Sequence, residues 1–535
     1  MKTMTNRLLT ITLTLLLILL PLQTASLAEE TGGTETAGVF RVGLEANYSP
    51  FNWSQSNDAD GAVPIANSQG EYANGYDVWL AKELADRLGL ELEIHKIEWD
   101  GLVPALESGK IDAIIAGMSP TAERKEQIDF SDIYYTSDLV MVVAKGSEFE
   151  RYQSIQDFAG ARITGQLNTF HYEVIDQIQG ADKQTALSDF PTMISALMAG
   201  KIDAYVSERP GAMAAVAANP DLVYVSFEEG KGFNTSLEDT AVAIGLRKNS
   251  PLTEPLNEAL SSISEDQRQA AMQTMIDFQN ETGERSFFET MSDLAADYGP
   301  LFLRGAGVTM FIAIVSTLIG FFIGLVVQVI RTIPVDQTTG PVRNFFVRFV
   351  QILLTAYVEI FRGTPMMVQA MLIYYGSKLL FDIDMSSIVA ALLIVSINTG
   401  AYLTEVIRGG INSVDEGQTE ACKAIGLTHG QSMRYVILPQ SIKAILPSIG
   451  NEFVVNIKDT SVLNVISVTE LFFVTRSVAG TTLQIFHTYL LTAIIYFVLT
   501  FITTRLINWI GQKTGKMEPF TLSSVTTGNV SIGGN

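Results

Sequence analysis

An acid and a base stand three residues apart inside an otherwise apolar run. They are Glu359 and Arg362, followed at once by Gly363, Thr364 and Pro365. Residues at that spacing share one face of a helix. Charges at membrane depth are costly and are usually paired or line a pathway, so a structural ion pair beside a polar route is expected. The Gly-Thr-Pro break frees backbone groups, which is tolerable only inside protein or beside a cavity. A later apolar run holds a second polar patch, Asn456, Lys458 and Asp459. Between the two lies a polar island, Glu420 to Pro439, reading EACKAIGLTHGQSMRYVILP. Its pattern predicts a short amphipathic helix from about Gly417 to Ile425, a stop at Gly426, and a second helical piece ending at Pro439. No Gly-x-x-x-x-Gly-Lys-Ser/Thr occurs, so this chain has no P-loop with which to grip nucleotide phosphates. His95, His171, His429 and His487 show no zinc-type spacing. No cofactor is implied, and any nucleotide-driven motor must be another polypeptide.

These groups need elements to hold them. A chain of 535 residues is too long for one domain. Its first half is mixed and acidic, and its second half carries near-continuous apolar runs that read as membrane spans. The net charge of -22 argues against nucleic acid as a partner. Cys422 is the only cysteine, which excludes an intrachain disulfide. Residues 1–28 read as a secretory signal peptide, with an uncleaved anchor helix as the alternative. Residues 29–37 are a polar lead-in expected to be disordered. From 38 to 284, short apolar strands alternate with amphipathic helices, which predicts an α/β domain. Leu106-x-x-Gly109-Lys110-Ile111-Asp112-Ala113 is echoed by Leu197-x-x-Gly200-Lys201-Ile202-Asp203-Ala204, so two lobes are built alike. Lobe 1 is expected over 38–142 and 236–284 and lobe 2 over 145–233, the chain crossing near 142–145 and returning near 233–238. Residues 285–300 read as an acidic link. Within 301–517, spans are expected over 302–330, 345–380, 388–406, 445–474 and 485–510. The tail 518–535 is rich in Ser, Thr and Gly and expected to be disordered. Arg331, Arg343, Arg408, Lys423, Arg434, Lys443, Arg505, Lys513 and Lys516 fall on one side, against Lys378 and Arg476 on the other. The positive-inside rule then places the α/β half outside and the C-terminus in the cytoplasm.

The island from Glu420, with Ala421, Gly426, Leu438 and Pro439, resembles the cytoplasmic EAA loop of importer-type ABC permeases. The stretch from Glu359 to Pro365, and Lys458-Asp459, resemble the polar amino-acid branch of that family. Residues 38–284 resemble periplasmic-type binding proteins for polar amino acids. The resemblance implies a two-lobed type II periplasmic-binding-protein fold, followed by an all-α transmembrane domain of the type I ABC importer kind. It also implies a plasma-membrane protein working as a permease homodimer among lipid, with a separate ABC ATPase docking on Glu420 to Pro439.

Residue by residue, the resemblance makes Tyr48 and Trp99 the aromatic walls of a ligand cleft. Gly117, Ser119 and Arg124 would hold an α-carboxylate, Thr169 would add donors at a helix start, and Glu208 would answer the α-ammonium. The chemistry is apt, because a zwitterion leaving water needs both charges matched and Arg presents a fork that suits a carboxylate. Gly75-Tyr76-Asp77-Val78 fits the family signature, but Trp79 replaces its usual acid. Glu45 falls where relatives place an acid near the ligand side chain. It suits a basic amino acid, with an amide such as glutamine as the alternative. A ligand-gated channel and a dehydratase on the same binding fold are the other classes. The first is disfavoured because all spans follow the two-lobed domain, the second because no acid–base pair stands out.

Overall fold

The computed structural model of the chain describes residues 34, 38–236, 240–279, 286–335 and 340–513. The expected signal segment 1–28 and the tail 518–535 lie outside them, as does most of the lead-in 29–37.

The first half holds a four-stranded antiparallel sheet, in the order Asn47–Tyr48, Asn52–Gln55, Tyr72–Asn74, Val63–Pro64, and two five-stranded sheets. Of these two, the first runs in the order Glu91–Lys96, Val39–Leu44, Ala113–Ile114, Ala241–Leu246, Asp129–Thr136. The second runs Asp182–Lys183, Arg162–Thr164, Ala204–Glu208, Leu139–Ala144, Leu222–Val225. In each, the first three strands are parallel and a returning strand joins them antiparallel. Leu139–Ala144 pairs wholly within the second sheet. The chain therefore crosses between lobes at Ser137 and Asp138, ahead of the expected 142–145. An apolar, almost fully buried strand of this kind belongs at the centre of a sheet, not at a hinge.

The sequence echo is structural. Helix Trp99–Glu107 turns at Gly109 into Ala113–Ile114, and helix Phe190–Met198 turns at Gly200 into Ala204–Glu208, both glycines having positive φ. Each echoed aspartate holds an arginine on a neighbouring strand. Asp112 accepts from the Arg41 guanidinium at 3.2 and 3.1 Å and from its backbone N–H at 3.0 Å. Asp203 does the same for Arg162 at 3.1, 2.6 and 2.8 Å.

The expected link 285–300 is mostly helix. A single helix, Phe287–Arg331, starts at a capping box between Ser286 and Glu289 and continues through Pro300. Leu294 and Leu301 face inward and pack on Leu471, Val474 and Val478, which is what holds this acidic segment helical. Helices Pro341–Gly363 and Met366–Phe381 flank the Thr364-Pro365 break, and Ser387–Asn412 follows. Leu438–Asp459 runs on into a 3-10 helix, Thr460–Ile466, and the stretch His429–Ile466 meets Leu471–Thr482 at a bend of 57° before Ile485–Lys513 closes the bundle. Among the described residues four helices are long and apolar enough to cross a membrane, or five if the bent pair is one span. Buried Asn456 ties three of them together: it donates to Thr317 Oγ1 at 2.8 Å and accepts from Thr399 Oγ1 at 3.2 Å.

The two Asp–Arg pairs differ in exposure. The Asp112 side chain is fully buried, whereas those of Arg162 and Asp203 are 40% and 21% exposed. Asp112→Ala, which strands a buried guanidinium, is expected to cost about 3 kcal/mol or more, and Asp203→Ala about 1 kcal/mol. Thermal unfolding of the full chain checks this ordering; equal losses would contradict it.

Candidate functional site

A chain of buried hydrogen bonds sets the cleft's first wall. Asn52 accepts from the Ala46 N–H at 2.8 Å and donates to Asp77 at 2.8 Å. Asp77 also accepts from the Tyr134 hydroxyl at 2.7 Å, and Tyr134 in turn accepts from the Gly117 N–H at 3.3 Å. Burial still pushes the Asp77 carboxyl up to about 7 against those hydrogen bonds. The short hairpin bearing Tyr48 and the loop bearing Gly117 are thus fixed to one helix start. At Gly117, φ is +62° and an added Cβ would sit 3.1 Å from the Tyr48 ring, so only glycine lets the ring lie there.

Tyr48 is a bridge between lobes. Its ring stacks between Phe51 of lobe 1, at 5.1 Å, and Phe190 of lobe 2, at 4.7 Å. Its hydroxyl donates to Glu208. Glu208 also has the His171 Nε2 at 2.8 Å, an ion-pair distance rather than an aligned hydrogen bond. Burial raises the Glu208 carboxyl, but the His171 charge and the Tyr48 hydroxyl outweigh it and hold the group below its ordinary range. Thr169 donates its hydroxyl proton to the Gln166 carbonyl and accepts from His171 Nδ1–H at 3.1 Å.

Arg124 lies with its guanidinium 5.0 Å from the Trp99 ring centre. Its fork donates to the Ser119 carbonyl at 2.9 Å and, across the cleft, to the Asn168 carbonyl at 2.9 Å. The cavity between the lobes, lined by Tyr48, Phe190 and Gly211 among others, is about 10 Å³. The groups expected to meet an amino acid therefore meet each other, and the lobes must part to admit one. A larger cavity of about 480 Å³ lies under Pro120 and Phe130, apart from all of these side chains.

Glu45 is buried, and its Oε1 has no hydrogen-bond partner. Burial first, then the negative charges of Glu98, Asp189 and Asp100, push its carboxyl up to about 8; the Arg476 charge opposes them. Arg476 belongs to the membrane half, on helix Leu471–Thr482. It pairs with Glu98 of lobe 1 at 2.7 Å and with Asp189 of lobe 2 at 2.7 Å. His171, Phe190, Glu98, Asp189 and Arg476 were not assigned to the site from sequence. The acids sit beside signals that were read, Glu98 next to Trp99 and Asp189 at the N-cap of the echoed helix, but their shared partner is some 300 residues away in the chain.

In the membrane half, the expected ion pair between Glu359 and Arg362 does not form. Arg362 lies instead over the Tyr402 ring at 5.3 Å, on the neighbouring helix. Glu359, Arg362, Pro365, Lys458 and Asp459 are all exposed. Glu405 of that same neighbouring helix is paired, 2.8 Å from Arg331 and 2.6 Å from Arg408.

The polar island forms helix Glu416–Ala424, capped by Asp415, with Gly426 at φ +78° ending it. Glu420 and Ala421 are exposed, Ile425 is 76% exposed, and Cys422 is the helix's one buried residue. Pro439 does not end the second piece. His429–Ser432 passes through a π turn, Met433–Ile437, into Leu438–Asp459. The Leu438 N–H takes the Met433 carbonyl, and the shifted register accommodates the missing N–H of Pro439.

Comparison with known proteins agrees with this division. Residues 40–275 match the bacterial extracellular solute-binding proteins, family 3, and residues 338–516 match the binding-protein-dependent transport system inner membrane component. The membrane half is similar to the probable amino-acid permease protein YxeN of Bacillus subtilis, at 37% identity over 207 residues, 38% of this chain and 86% of that protein. It is also similar to the glutamine transport system permease protein GlnP of Escherichia coli, at 32% over 215 residues, 40% of this chain and 93% of the other. The arginine-binding extracellular protein ArtP of Bacillus subtilis is 30% identical over 229 residues, covering 42% of this chain and 80% of that one. The chain belongs to the amino-acid ABC permease family and carries, fused in front of its membrane component, a family 3 solute-binding domain of two-lobed type II fold.

Proposed function

We propose that this importer takes a basic amino acid, arginine or a close analogue, and is driven by a separate ATPase acting on a homodimer of this chain. The observation that carries the substrate assignment is Glu45, a buried carboxylate with an unpartnered oxygen in the field of Glu98, Asp189 and Asp100. A cationic side chain answers both the bare oxygen and the negative field; an amide N–H answers only the oxygen. The relative that matches the binding domain is named for arginine. The glutamine transport relative is a permease protein, similar to the membrane half and not to the binding domain.

In this reading Arg124 exchanges its two carbonyl partners for the α-carboxylate, with Ser119 and Gly117 beside it and Thr169 adding donors. Glu208, kept ionised by His171, takes the α-ammonium, while Tyr48 and Trp99 flank the stem. The long helix supports the assignment of sides. Arg304 donates to the Gln69 carbonyl of the binding domain, and Arg331 of the same helix pairs with Glu405 next to the polar island. The helix rises about 40 Å between those residues at about 1.5 Å per residue, a bilayer's thickness. That supports a binding domain outside and Glu420 to Pro439 in the cytoplasm. The exposed helix Glu416–Ala424, with bare Ile425, supports a partner there. Exposed Glu359, Arg362, Lys458 and Asp459 would be costly against lipid, and a second copy facing them would enclose a polar path.

Two tests follow from the cleft. With burial pushing its carboxyl up to about 8, Glu45 is largely neutral at lower pH; a cation brought against it favours the carboxylate and releases that proton. Arginine affinity should therefore rise between about pH 6 and about 8, by up to about tenfold per pH unit. Calorimetry in buffers of different ionisation enthalpy should register proton release, and Glu45→Gln should flatten the profile. A flat wild-type profile, or tighter glutamine binding, contradicts the basic substrate. Arg124→Ala should weaken binding by about 100-fold or more, and normal affinity in that variant would refute the carboxylate assignment.

The motor reading has its own test. Ile425→Asp and Glu420→Arg should lower ATP-driven uptake in liposomes about tenfold, the size of a modest coupling energy, with arginine affinity unchanged. Undiminished uptake would remove the island from the drive.

A further inference from the structure

The binding domain is seated on the membrane half unequally. Lobe 1 is held by a buried polar network. Lys96 Nζ reaches both Glu71 oxygens at 3.2 Å and Ser54 Oγ at 3.2 Å, with Lys96 and Glu71 side chains only 3% and 1% exposed. Helix Leu471–Thr482 enters this network. Ser477 meets Ser54 and donates to Glu71 at 3.0 Å, Thr481 donates to the Ser54 carbonyl at 2.7 Å, and the Phe473 ring lies 4.7 Å from Lys96 Nζ. Lys110 adds a pair to Asp384 at 2.7 Å. Separating these partners would strand buried charge, which is strongly disfavoured.

Lobe 2 has much less. Gln484 donates to the Ala218 carbonyl at 3.3 Å, Leu483 packs near Ile194 and Ala215, and Asp189 takes Arg476. Among the described residues, the one charged tie of lobe 2 to the membrane half thus shares its guanidinium with Glu98 of lobe 1. The two carboxylates converge on one cation only when the lobes are together; opening the cleft withdraws Asp189 and leaves Arg476 with Glu98 alone. Both acids are close to fully buried around it, at 11% and 8% exposure.

We infer that Arg476 is a closure latch: lobe 1 stays seated on the membrane domain throughout, while lobe 2 swings and completes its salt bridge to Arg476 only as the cleft closes. The membrane domain then senses a loaded receptor through one side chain on the bent helix Leu471–Thr482, which packs on Leu294 and Leu301 of the long helix. The latch rests on reading the two-lobed domain as the amino-acid receptor. It makes Arg476 a positioning residue, acting on closure and not on substrate.

The test uses the full chain in lipid nanodiscs, with Cys422→Ser and one spin label at exposed Leu380 of the membrane domain. A second label goes on lobe 1, at exposed Asp86, or on lobe 2, at exposed Lys201. Arginine and glutamine are each added, and distances are read by pulsed electron resonance. The latch predicts that ligand narrows and shortens the lobe 2 distance and leaves the lobe 1 distance unchanged. Arg476→Ala should leave the lobe 2 distribution broad even with ligand, still without moving lobe 1, whose constant distance also reports a folded domain; Arg476→Lys should restore narrowing. With the ATPase present, ligand stimulation of hydrolysis should fall about tenfold in Arg476→Ala. Lobe distances that move together, an Arg476→Ala variant indistinguishable from wild type, or no response of lobe 2 to either amino acid would overturn the latch. A response to glutamine and not to arginine upholds the latch and rejects the basic substrate.

Discussion

One guanidinium lies between two carboxylates that belong to different bodies, and much of the rest of the structure serves to bring those three groups together. Arg476 is carried by a helix of the membrane half. Glu98 stands at the start of a lobe 1 helix and Asp189 caps a lobe 2 helix. Charges taken out of water hold their place only when matched, so this triad is stable only if both lobes and the membrane domain meet. The same requirement governs the cleft: Arg124 and Tyr48 each reach across to lobe 2, to the Asn168 carbonyl and to Glu208. Glu45 is the exception, a buried carboxylate oxygen for which the protein supplies no donor.

In the membrane half, packed elements run continuously from that triad to the far end. The long helix Phe287–Arg331 begins against Leu471 and Val478 and ends at the Arg331–Glu405–Arg408 cluster beside the polar island. Asn456 locks it to two neighbours through Thr317 and Thr399. A packed helix of this kind moves as a body, because its side chains interlock and do not deform continuously. The break at Thr364-Pro365 and the π turn at Met433–Ile437 are the places where the backbone ladder is already interrupted, and such places accommodate motion at least cost.

Legibility in the sequence followed range. The helix–glycine–strand echo was plain because every residue in it is local, and it located Asp112 and Asp203. Their partners Arg41 and Arg162 were not read, since each lies on a strand that only the sheet brings near. Tyr48 and Glu208 stand out by resemblance, whereas of the two residues that touch them His171 shows in the sequence only a lack of metal spacing and Phe190 carries no signal. Charge counting put Arg476 on the outer side but could say nothing of its carboxylates, which depend on docking. Residues 285–300, with Asp293 and Asp297, have the acidity of a link, but the Ser286-x-x-Glu289 capping box and inward Leu294 make them helix from Phe287 on. Glu359 and Arg362 share a helix face, yet the proximity of Tyr402, a tertiary fact, decides where the guanidinium lies.

Transport itself is the decisive observable. Proteoliposomes holding this chain with its ATPase, loaded with ATP inside the compartment that the polar island faces, would be given radiolabelled arginine on the other side. The account predicts ATP-dependent accumulation that excess lysine suppresses and excess glutamine does not. Accumulation without ATP, or a pathway that glutamine blocks and lysine leaves alone, would contradict it.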